Sequence, residues 1–402
     1  MANPRIWIDE DAGTEQAVAR QSPYILKTSG ETLIALGQIA TLPEGPQAGL
    51  VERVSQYFKA HRDGPDMLVG VLPFDPAQAA YLFQPERVLR VQGRHDLGSV
   101  PGLDTNAQAN AAPLRILSVD PDPVPAGFAA AVSAGLEAMT VPGAELRKIV
   151  LSRSLKVTAS RDFSAADLMR RLSRDESVTV FAAPLPVRSG KARALIGATP
   201  ELLVEKRGGH IASHPLAGSA RRHADAAEDR RSADALLNSE KDRREHDIVV
   251  ESIMDLLSPY CTELSAPEGT ALRATASMWH LGTRIVGRLK DASLPSEHFL
   301  TLLHPTPAVC GLPRALAHRR ISEFEPYDRG FYAGAVGWCD SAGDGRWFVS
   351  IRCAELEGDQ ARLYAGAGIV PGSTPEGELA ETAAKFRAML DGFGIEGNRF
   401  GV

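Results

Sequence analysis

The chain has 402 residues, of which 44% are hydrophobic, and a formal net charge of −6. This length corresponds to roughly two to three domains or one large mixed domain, and the composition supplies a sizeable core. The 44 Lys and Arg residues are scattered along the chain, which excludes nucleic acid and anionic membrane surfaces as expected partners and makes any anionic substrate depend on local positive charge.

Cysteine usage and hydropathy predict a soluble cytoplasmic protein. Cys261, Cys310, Cys339 and Cys353 form no C-x-x-C pair, so we expect core thiols in a reducing compartment rather than a disulfide framework. The acidic stretch at residues 1–13 has neither the basic nor the apolar region of a signal peptide. No segment approaches the roughly 18 continuous apolar residues of a membrane span.

Taken in chain order, the first 112 residues carry few clear patterns. Residues 29–40 predict a strand region, residues 49–61 a helix, and residues 91–113 a loop. From residue 125 onward the hydrophobic periodicity is sharper, and it predicts the elements that follow. Helices are expected at residues 126–140, 164–173, 239–257 and 375–390, and strands at residues 147–157, 178–182, 194–204, 279–289, 331–339, 346–356 and 362–369, with another strand ending near His214.

These elements predict an α+β fold with large antiparallel β-sheets and surrounding helices. The strands cluster without regular β-α-β alternation, which disfavours a doubly wound parallel sheet. The chain has no phosphate loop, no G-x-G-x-x-G turn, no G-x-S-x-G elbow and no H-E-x-x-H pair. The candidates for chemistry are therefore isolated charged residues in apolar surroundings.

Two predicted helices carry carboxylates in contrasting positions. Glu245 shares the apolar face of its helix with Ile248 and Val249, so it either points inward, where it needs a partner or a metal ion, or is a solvated charge of the first turn. In the last helix, Glu378, Glu381 and Lys385 lie opposite the apolar stripe, which is typical of a solvent face. A helix face can also line a cleft, where carboxylates from separate helices would suit Mg²⁺.

Three further charged residues interrupt apolar segments. Lys148 opens a predicted strand and is either a strand-end lysine reaching water or a buried amine that acts as a base. Glu201, after Pro200, is either a turn residue or a carboxylic acid held protonated by burial. Arg352 lies within an apolar strand pattern, which suggests either capture of a carboxylate or a structural ion pair.

Six sequence blocks resemble, in this order, the motifs of chorismate-utilising enzymes. They are Lys-Ile-Val-Leu-Ser-Arg at residues 148–153, Gly-Ala-Thr-Pro-Glu-Leu at 197–202, His-Pro-Leu-Ala-Gly-Ser at 214–219, Lys-Asp-Arg-Arg-Glu-His at 241–246, His-Pro-Thr-Pro-Ala-Val at 304–309 and Gly-Ala-Gly-Ile-Val at 366–370. The resemblance implies a chorismate-binding fold like that of anthranilate synthase component I. It covers residues 113–402 as the catalytic region and matches residues 1–112 weakly as the N-terminal part of what we expect to be one integrated domain.

Within this family, the chain looks most like the isochorismate synthases of catechol siderophore pathways. The resemblance implies that Glu245 and Glu381 ligate Mg²⁺, with Glu378 further out, and that chorismate is the substrate of a monomeric enzyme. Lys148 would activate a water molecule that attacks C2, and Glu201 would protonate the departing C4 hydroxyl. The residues implied to bind or surround the substrate are Gly218, Ser219, Ala308, Tyr332, Arg352, Gly366, Gly368 and Lys385.

The subtype depends on two positions. Amine-adding relatives generally carry glutamine where Lys148 stands, because ammonia is already nucleophilic whereas water needs a base, so Lys148 favours water as the nucleophile. Ala308 stands where pyruvate-releasing and amine-using members tend to have threonine. A salicylate synthase is the enzymatic alternative, and a non-catalytic binding protein of the same fold is the other. The acid and base pair argues against the binding protein.

Overall fold

The computed structural model describes residues 22–93, 113–188 and 190–395. These residues form 22 β-strands and eight α-helices. The strands are β1 (Tyr24–Lys27), β2 (Glu31–Leu36), β3 (Ala40–Thr41), β4 (Met67–Leu72), β5 (Tyr81–Gln84), β6 (Arg87–Gln92), β7 (Ile116–Asp122), β8 (Lys148–Ala159), β9 (Thr179–Arg188), β10 (Lys191–Thr199), β11 (Leu202–Arg207), β12 (His210–His214), β13 (Leu216–Arg221), β14 (Cys261–Ser265), β15 (Thr270–Ala274), β16 (Met278–Thr283), β17 (Ile285–Leu289), β18 (Gly311–Leu312), β19 (Ala335–Asp340), β20 (Gly345–Val349), β21 (Cys353–Glu357) and β22 (Gln360–Ile369). The helices are α1 (Leu50–Ala60), α2 (Pro125–Thr140), α3 (Ala165–Leu172), α4 (Ala226–Asn238), α5 (Glu240–Leu257), α6 (Ser296–Leu303), α7 (Arg314–Phe324) and α8 (Pro375–Phe393).

Two large antiparallel sheets form the centre of the molecule. The first has ten strands in the order β18-β8-β22-β21-β10-β9-β1-β2-β6, with β7 also paired to β8. The second has nine strands in the order β14-β17-β12-β11-β20-β19-β4-β5-β3, and β13, β16 and β15 form a small third sheet. The predicted α+β class with large antiparallel sheets is therefore confirmed. Strands from the first hundred residues lie in both large sheets.

The ten-stranded sheet is buried on both faces. Successive side chains of a strand point to opposite faces, and in β1 Tyr24 and Leu26 belong to one hydrophobic cluster whereas Ile25 belongs to the other. The first cluster joins this sheet to the nine-stranded sheet through residues such as Phe181 and Trp347. The second cluster packs the outer face of the ten-stranded sheet against α3 and α8. The helices that carry site residues are thus anchored by apolar packing.

Several predicted elements differ from the structure in one consistent way. The single strands predicted at residues 194–204, 279–289 and 346–356 are each two strands, and the first and third of these pairs divide between the two large sheets. A continuous apolar pattern does not reveal where a strand leaves one sheet and enters another. The pattern also missed α4, α6 and α7, which are short or weakly amphipathic. The predicted loop at residues 91–113 lies largely outside the described residues.

Two further expectations can be compared with the described residues. All four cysteines are buried and free, as predicted for core thiols. No helix in the described ranges is both long enough and apolar enough to cross a bilayer.

Candidate active site

Most of the predicted site residues line one cleft between the sheets. The cleft has an empty volume of about 600 Å³, including the solvent space at its mouth. The predicted residues that line it are Glu201, Gly218, Ser219, Glu245, Ala308, Tyr332, Arg352, Gly366, Gly368 and Lys385. They come from the ten-stranded sheet and the small third sheet, from α5 and α8, and from segments that connect the elements. Lys148 and Glu381 lie beside this lining and contact its residues Glu245 and Lys385, respectively, whereas Glu378 contacts Lys241, which does not line the cleft.

Lys148 is completely buried beneath the cleft. Its Nζ lies 3.0 Å from Oε1 of Glu245, so the interpretation of Lys148 as a strand-end lysine reaching water is wrong. Glu245 is also buried, so of the two alternatives that the periodicity left open, the inward-pointing one is confirmed. Gly368 on β22 makes room for this pair, because an added Cβ would lie 2.0 Å from Glu245 Oε1 and 3.1 Å from Lys148 Cε. A side chain at position 368 would therefore displace the ion pair.

Glu201 occupies the connection between β10 and β11, where the chain passes from one large sheet to the other. It is buried, and burial raises the pKa of its carboxyl to about 8, although the positive charges of Lys148, Lys385 and Arg352 partly oppose the shift. At neutral pH the group is therefore mostly a neutral carboxylic acid that can donate a proton.

The carboxylates of α8 are held by lysines. Lys385 Nζ lies 2.5 Å from Glu381 Oε1, and Lys241 Nζ on α5 lies 2.7 Å from Glu378 Oε1. Glu378 is only 1% exposed, so the interpretation of its helix face as a solvent face is wrong for this residue. The periodicity was misleading because Glu378 pairs with Lys241 from the N-terminal turn of α5.

These carboxylates are chemically suited to a hard cation. Burial raises the pKa of Glu378, and the negative charge of Glu381 adds to the shift, so two carboxylates lie close enough to repel each other. Glu378 Oε2 is buried without a hydrogen-bond partner. Among the described residues, however, no three His, Cys, Asp or Glu side chains are arranged as a ready metal site. Glu245, Glu378 and Glu381 each contact a lysine instead.

Arg352 lies where the chain passes between the sheets rather than inside a strand. It connects β20 to β21 and adopts a positive φ of 50°. Burial lowers the pKa of its guanidinium to about 10, partly offset by Glu381, Tyr332 and Glu201, so it remains charged at neutral pH. Nearby, the ring of Tyr332 stacks on Tyr364 with centroids 4.8 Å apart. A buried, charged arginine beside a polar cleft suits an anionic ligand.

Backbone and small polar groups complete the cleft. Gly218 has a φ of 77°, and an added Cβ there would lie 3.0 Å from Asp242 Cβ. Lys385 Nζ donates to the carbonyl oxygen of Gly366 at 2.8 Å. Ser219 Oγ lies 3.0 Å from Nδ1 of His280. Ser219 and the lysine are therefore held in place by neighbouring groups of the cleft.

His280 is a lining residue that the sequence interpretation missed. It is buried on β16, and burial, together with the charges of Arg352 and Lys385, lowers its pKa well below the ordinary value, so the ring is neutral. Its Nε2 is buried without a hydrogen-bond partner. The only available signal was a histidine within the apolar pattern of β16, which is also typical of an ordinary core histidine.

A second missed feature is a buried ion pair beneath the cleft. Arg329 Nη2 lies 2.5 Å from Glu325 Oε1, and the guanidinium also donates to the carbonyl oxygens of Val150 and Val309. Glu325 Oε1 accepts hydrogen bonds from both N–H and Oγ of Ser152. Val150 and Val309 line the cleft, so this pair fixes part of its wall.

The fold and this cleft define the class of protein. The profile of the family described as "Chorismate binding enzyme" matches residues 99–394, and the chain belongs to this family.

Individual relatives agree with this assignment. The chain is 40% identical over 386 residues to isochorismate synthase DhbC of Bacillus subtilis strain 168, a match that covers 93% of this chain and 94% of that protein. It is 37% identical over 383 residues to the vibriobactin-specific isochorismate synthase of Vibrio cholerae, with 94% and 93% covered. The crystal structure of DhbC from Bacillus anthracis superposes with a TM-score of 0.85 at 36% identity and covers 96% of this chain and all of that one.

Proposed function

We propose that this protein is an Mg²⁺-dependent isochorismate synthase. It converts chorismate to isochorismate by adding water at C2 and losing the C4 hydroxyl. The observation that carries the proposal is that one cleft has both a buried amine, Lys148, and a carboxyl group that stays mostly protonated at neutral pH, Glu201. A coupled displacement of one hydroxyl by another needs one proton acceptor and one proton donor.

Lys148 and Glu201 each carry out one of the two proton transfers. Lys148, in its uncharged form, accepts a proton from water as the oxygen bonds to C2. The double bonds of the ring shift, the C4–O bond breaks, and Glu201 donates its proton to the leaving oxygen, which departs as water. Protons and atoms balance, because one water enters and one leaves. After turnover, a proton must return from Lys148 to Glu201, directly or through solvent.

The substrate is anchored through its two carboxylates. Arg352 and Tyr332, together with the backbone N–H groups around Gly366 and Gly368, are suited to the enolpyruvyl carboxylate. Fixing both ends of the ring places C2 and C4 near their respective proton-transfer groups, which is a large part of the catalytic effect available to such a site. Gly218, Ser219 and Ala308 would shape the remaining wall.

Glu245 and Glu381 are the residues that would hold Mg²⁺. Glu378 would not bind the ion directly but would orient these two carboxylates. When bound, the ion supplies concentrated positive charge for the ring carboxylate. The protein keeps these carboxylates in place through ion pairs with Lys148, Lys385 and Lys241.

The vibriobactin-specific relative supports a pathway that leads to a catechol siderophore. We also propose that the N-terminal part of the chain, in its described residues 22–93, belongs to the same domain as the rest, because β1 and β2 pair within the sheet that contains β8. A cytoplasmic monomer remains our expectation.

Product analysis tests the proposed function. Purified protein incubated with chorismate and Mg²⁺ should form isochorismate as the main product, with little salicylate or pyruvate, because Lys148 favours water addition and Ala308 adds no threonine hydroxyl to the wall. The products are separated by chromatography. Salicylate with an equal amount of pyruvate would instead identify a salicylate synthase, and tight chorismate binding without any product would identify a binding protein.

The pKa of Glu201 predicts the pH dependence of turnover. Below about pH 8 the carboxyl is protonated and can donate, so kcat should fall as pH rises through about 8. Stability should follow the same direction. The folded protein holds this proton more tightly than the unfolded chain, so the free energy of unfolding decreases as pH rises from about 4.5 toward 8.

The measurement for this prediction is a kcat profile together with denaturant unfolding at several pH values. Glu201→Gln keeps a neutral side chain at every pH, so its free energy of unfolding should lose this part of the pH dependence. A wild-type kcat that is flat between about pH 7 and 9 would remove Glu201 as the proton donor.

A further inference from the structure

Each of the three carboxylates proposed for the metal region forms an ion pair with a lysine. Lys148 contacts Glu245, Lys385 contacts Glu381 and Lys241 contacts Glu378. A dication that binds these carboxylates meets positive charge already placed there. Lysine and metal ion therefore compete for the same negative charge.

Lys241 differs from the other two lysines. Its side chain is 30% exposed, against 0% for Lys148 and 14% for Lys385, so it has the most contact with water. It lies in the first turn of α5 and does not line the cleft. Its ammonium interacts electrostatically with Glu378, Glu381 and Glu245. Lys241 is thus the cation at the edge of this acidic group.

The function of Lys148 and Lys385 in the cleft does not extend to Lys241. The proposed reaction assigns it no proton transfer and no substrate contact. A surface lysine that only extended into solvent would not be held 2.7 Å from a carboxylate that is 1% exposed. Burying Glu378 without a cation would leave an uncompensated charge, which is strongly unfavourable.

We infer that Lys241 is a built-in competitor of the metal ion. Its ammonium balances the carboxylates when no metal is bound, which keeps the empty site stable. The same charge repels an incoming dication, which keeps metal affinity low. This inference rests on the proposed Mg²⁺ site, and it concerns metal affinity rather than the identity of the product.

Calorimetric titration of the whole protein with MgCl₂, without chorismate and at mildly alkaline pH, tests this inference. Lys241→Met removes the charge and keeps most of the side-chain volume. Its dissociation constant for Mg²⁺ should fall by about three- to tenfold, as expected for loss of one nearby like charge in a partly hydrated region. Lys156→Met is the matched control, because Lys156 also forms an ion pair with a carboxylate, that of Asp122. Lys156 lies near the other end of β8 from Lys148. The Mg²⁺ affinity of this control variant should equal that of the wild type.

The rise in Tm on addition of Mg²⁺ gives a second readout that a merely structural lysine would not affect. In EDTA, Lys241→Met should have a lower Tm than the wild type, because Glu378 loses its partner. Mg²⁺ should raise the Tm of this variant more than it raises that of the wild type. If the methionine variant does not fold, Lys241→Gln, which keeps a hydrogen-bond donor without the charge, replaces it.

The outcomes separate this inference from the proposed function. Equal or weaker Mg²⁺ affinity in the variant, with isochorismate still formed by the wild type, would overturn the competitor role and leave the proposed function standing. No Mg²⁺ binding by the wild type would overturn the metal site and this inference together. Tighter binding combined with salicylate as product would support the competitor role and overturn the proposed reaction.

Discussion

Lys148→Ala is expected to bind chorismate and to lose turnover by about 10²- to 10⁴-fold, the range typical of a missing general base. Lys148 is the buried amine beside Glu245, and no other lysine contacts that carboxylate in the described residues. The enolpyruvyl carboxylate would still be held by Arg352 and Tyr332, so KM should change far less than kcat. Steady-state kinetics and equilibrium binding of chorismate measure the two effects separately.

Two controls separate the loss of a base from the loss of an ion pair. Lys148→Arg keeps a positive charge for Glu245 but does not give up its proton at any working pH, so it should be as inactive as the alanine variant. Lys156→Ala, on the exposed outer part of the same strand, should be fully active. Near wild-type kcat in Lys148→Arg would remove Lys148 as the base.

Glu381→Gln is expected to abolish activity at ordinary Mg²⁺ concentrations while the protein stays folded. A neutral amide is a much poorer ligand for a hard dication than a carboxylate. The side chain is partly exposed and its contact partner Lys385 also donates to Gly366, so we expect little cost in stability. Activity as a function of Mg²⁺ concentration and the Tm of the variant are the measurements.

Glu376→Gln is the matched control, since Glu376 lies five residues earlier, at an exposed position of the same helix. This variant should have wild-type activity and the same Mg²⁺ dependence. Full turnover of Glu381→Gln in EDTA would show that Glu381 has no part in metal binding.

The fold class was predictable because the strands alternate apolar and polar residues or are apolar throughout. These local patterns specify strands and helices but not the sheet to which a strand belongs. Arg352 illustrates this limit, because the pattern placed it inside a strand whereas the chain there leaves one sheet and enters the other. The positive φ at this arginine has no signature in residue type, unlike a glycine in the same conformation.

The candidate site was predicted in part by physical reasoning and mainly by resemblance to a family. Periodicity placed Glu245 on the apolar face of its helix but left a solvated charge as the alternative, and the burial of the residue decides for the inward position. The same reasoning failed for Glu378, because its partner Lys241 lies on another helix and is distant in the chain. His280 and the pair formed by Glu325 and Arg329 were missed because their partners are distant in the chain, such as Ser219, Val150 and Ser152.

The pair formed by Glu325 and Arg329 has a consequence for how β8 is kept from sliding. Along one edge of β8, β18 pairs only with the first two residues and β7 only from Ser154 onward, and the two side chains bond the backbone between them at Val150 and Ser152. A slip of one residue would turn every side chain of the strand to its opposite face and carry Lys148 away from the cleft. The strand β22 fixes the register along the other edge of β8, and on this edge the side chains of Glu325 and Arg329 help to hold the proposed base in alignment.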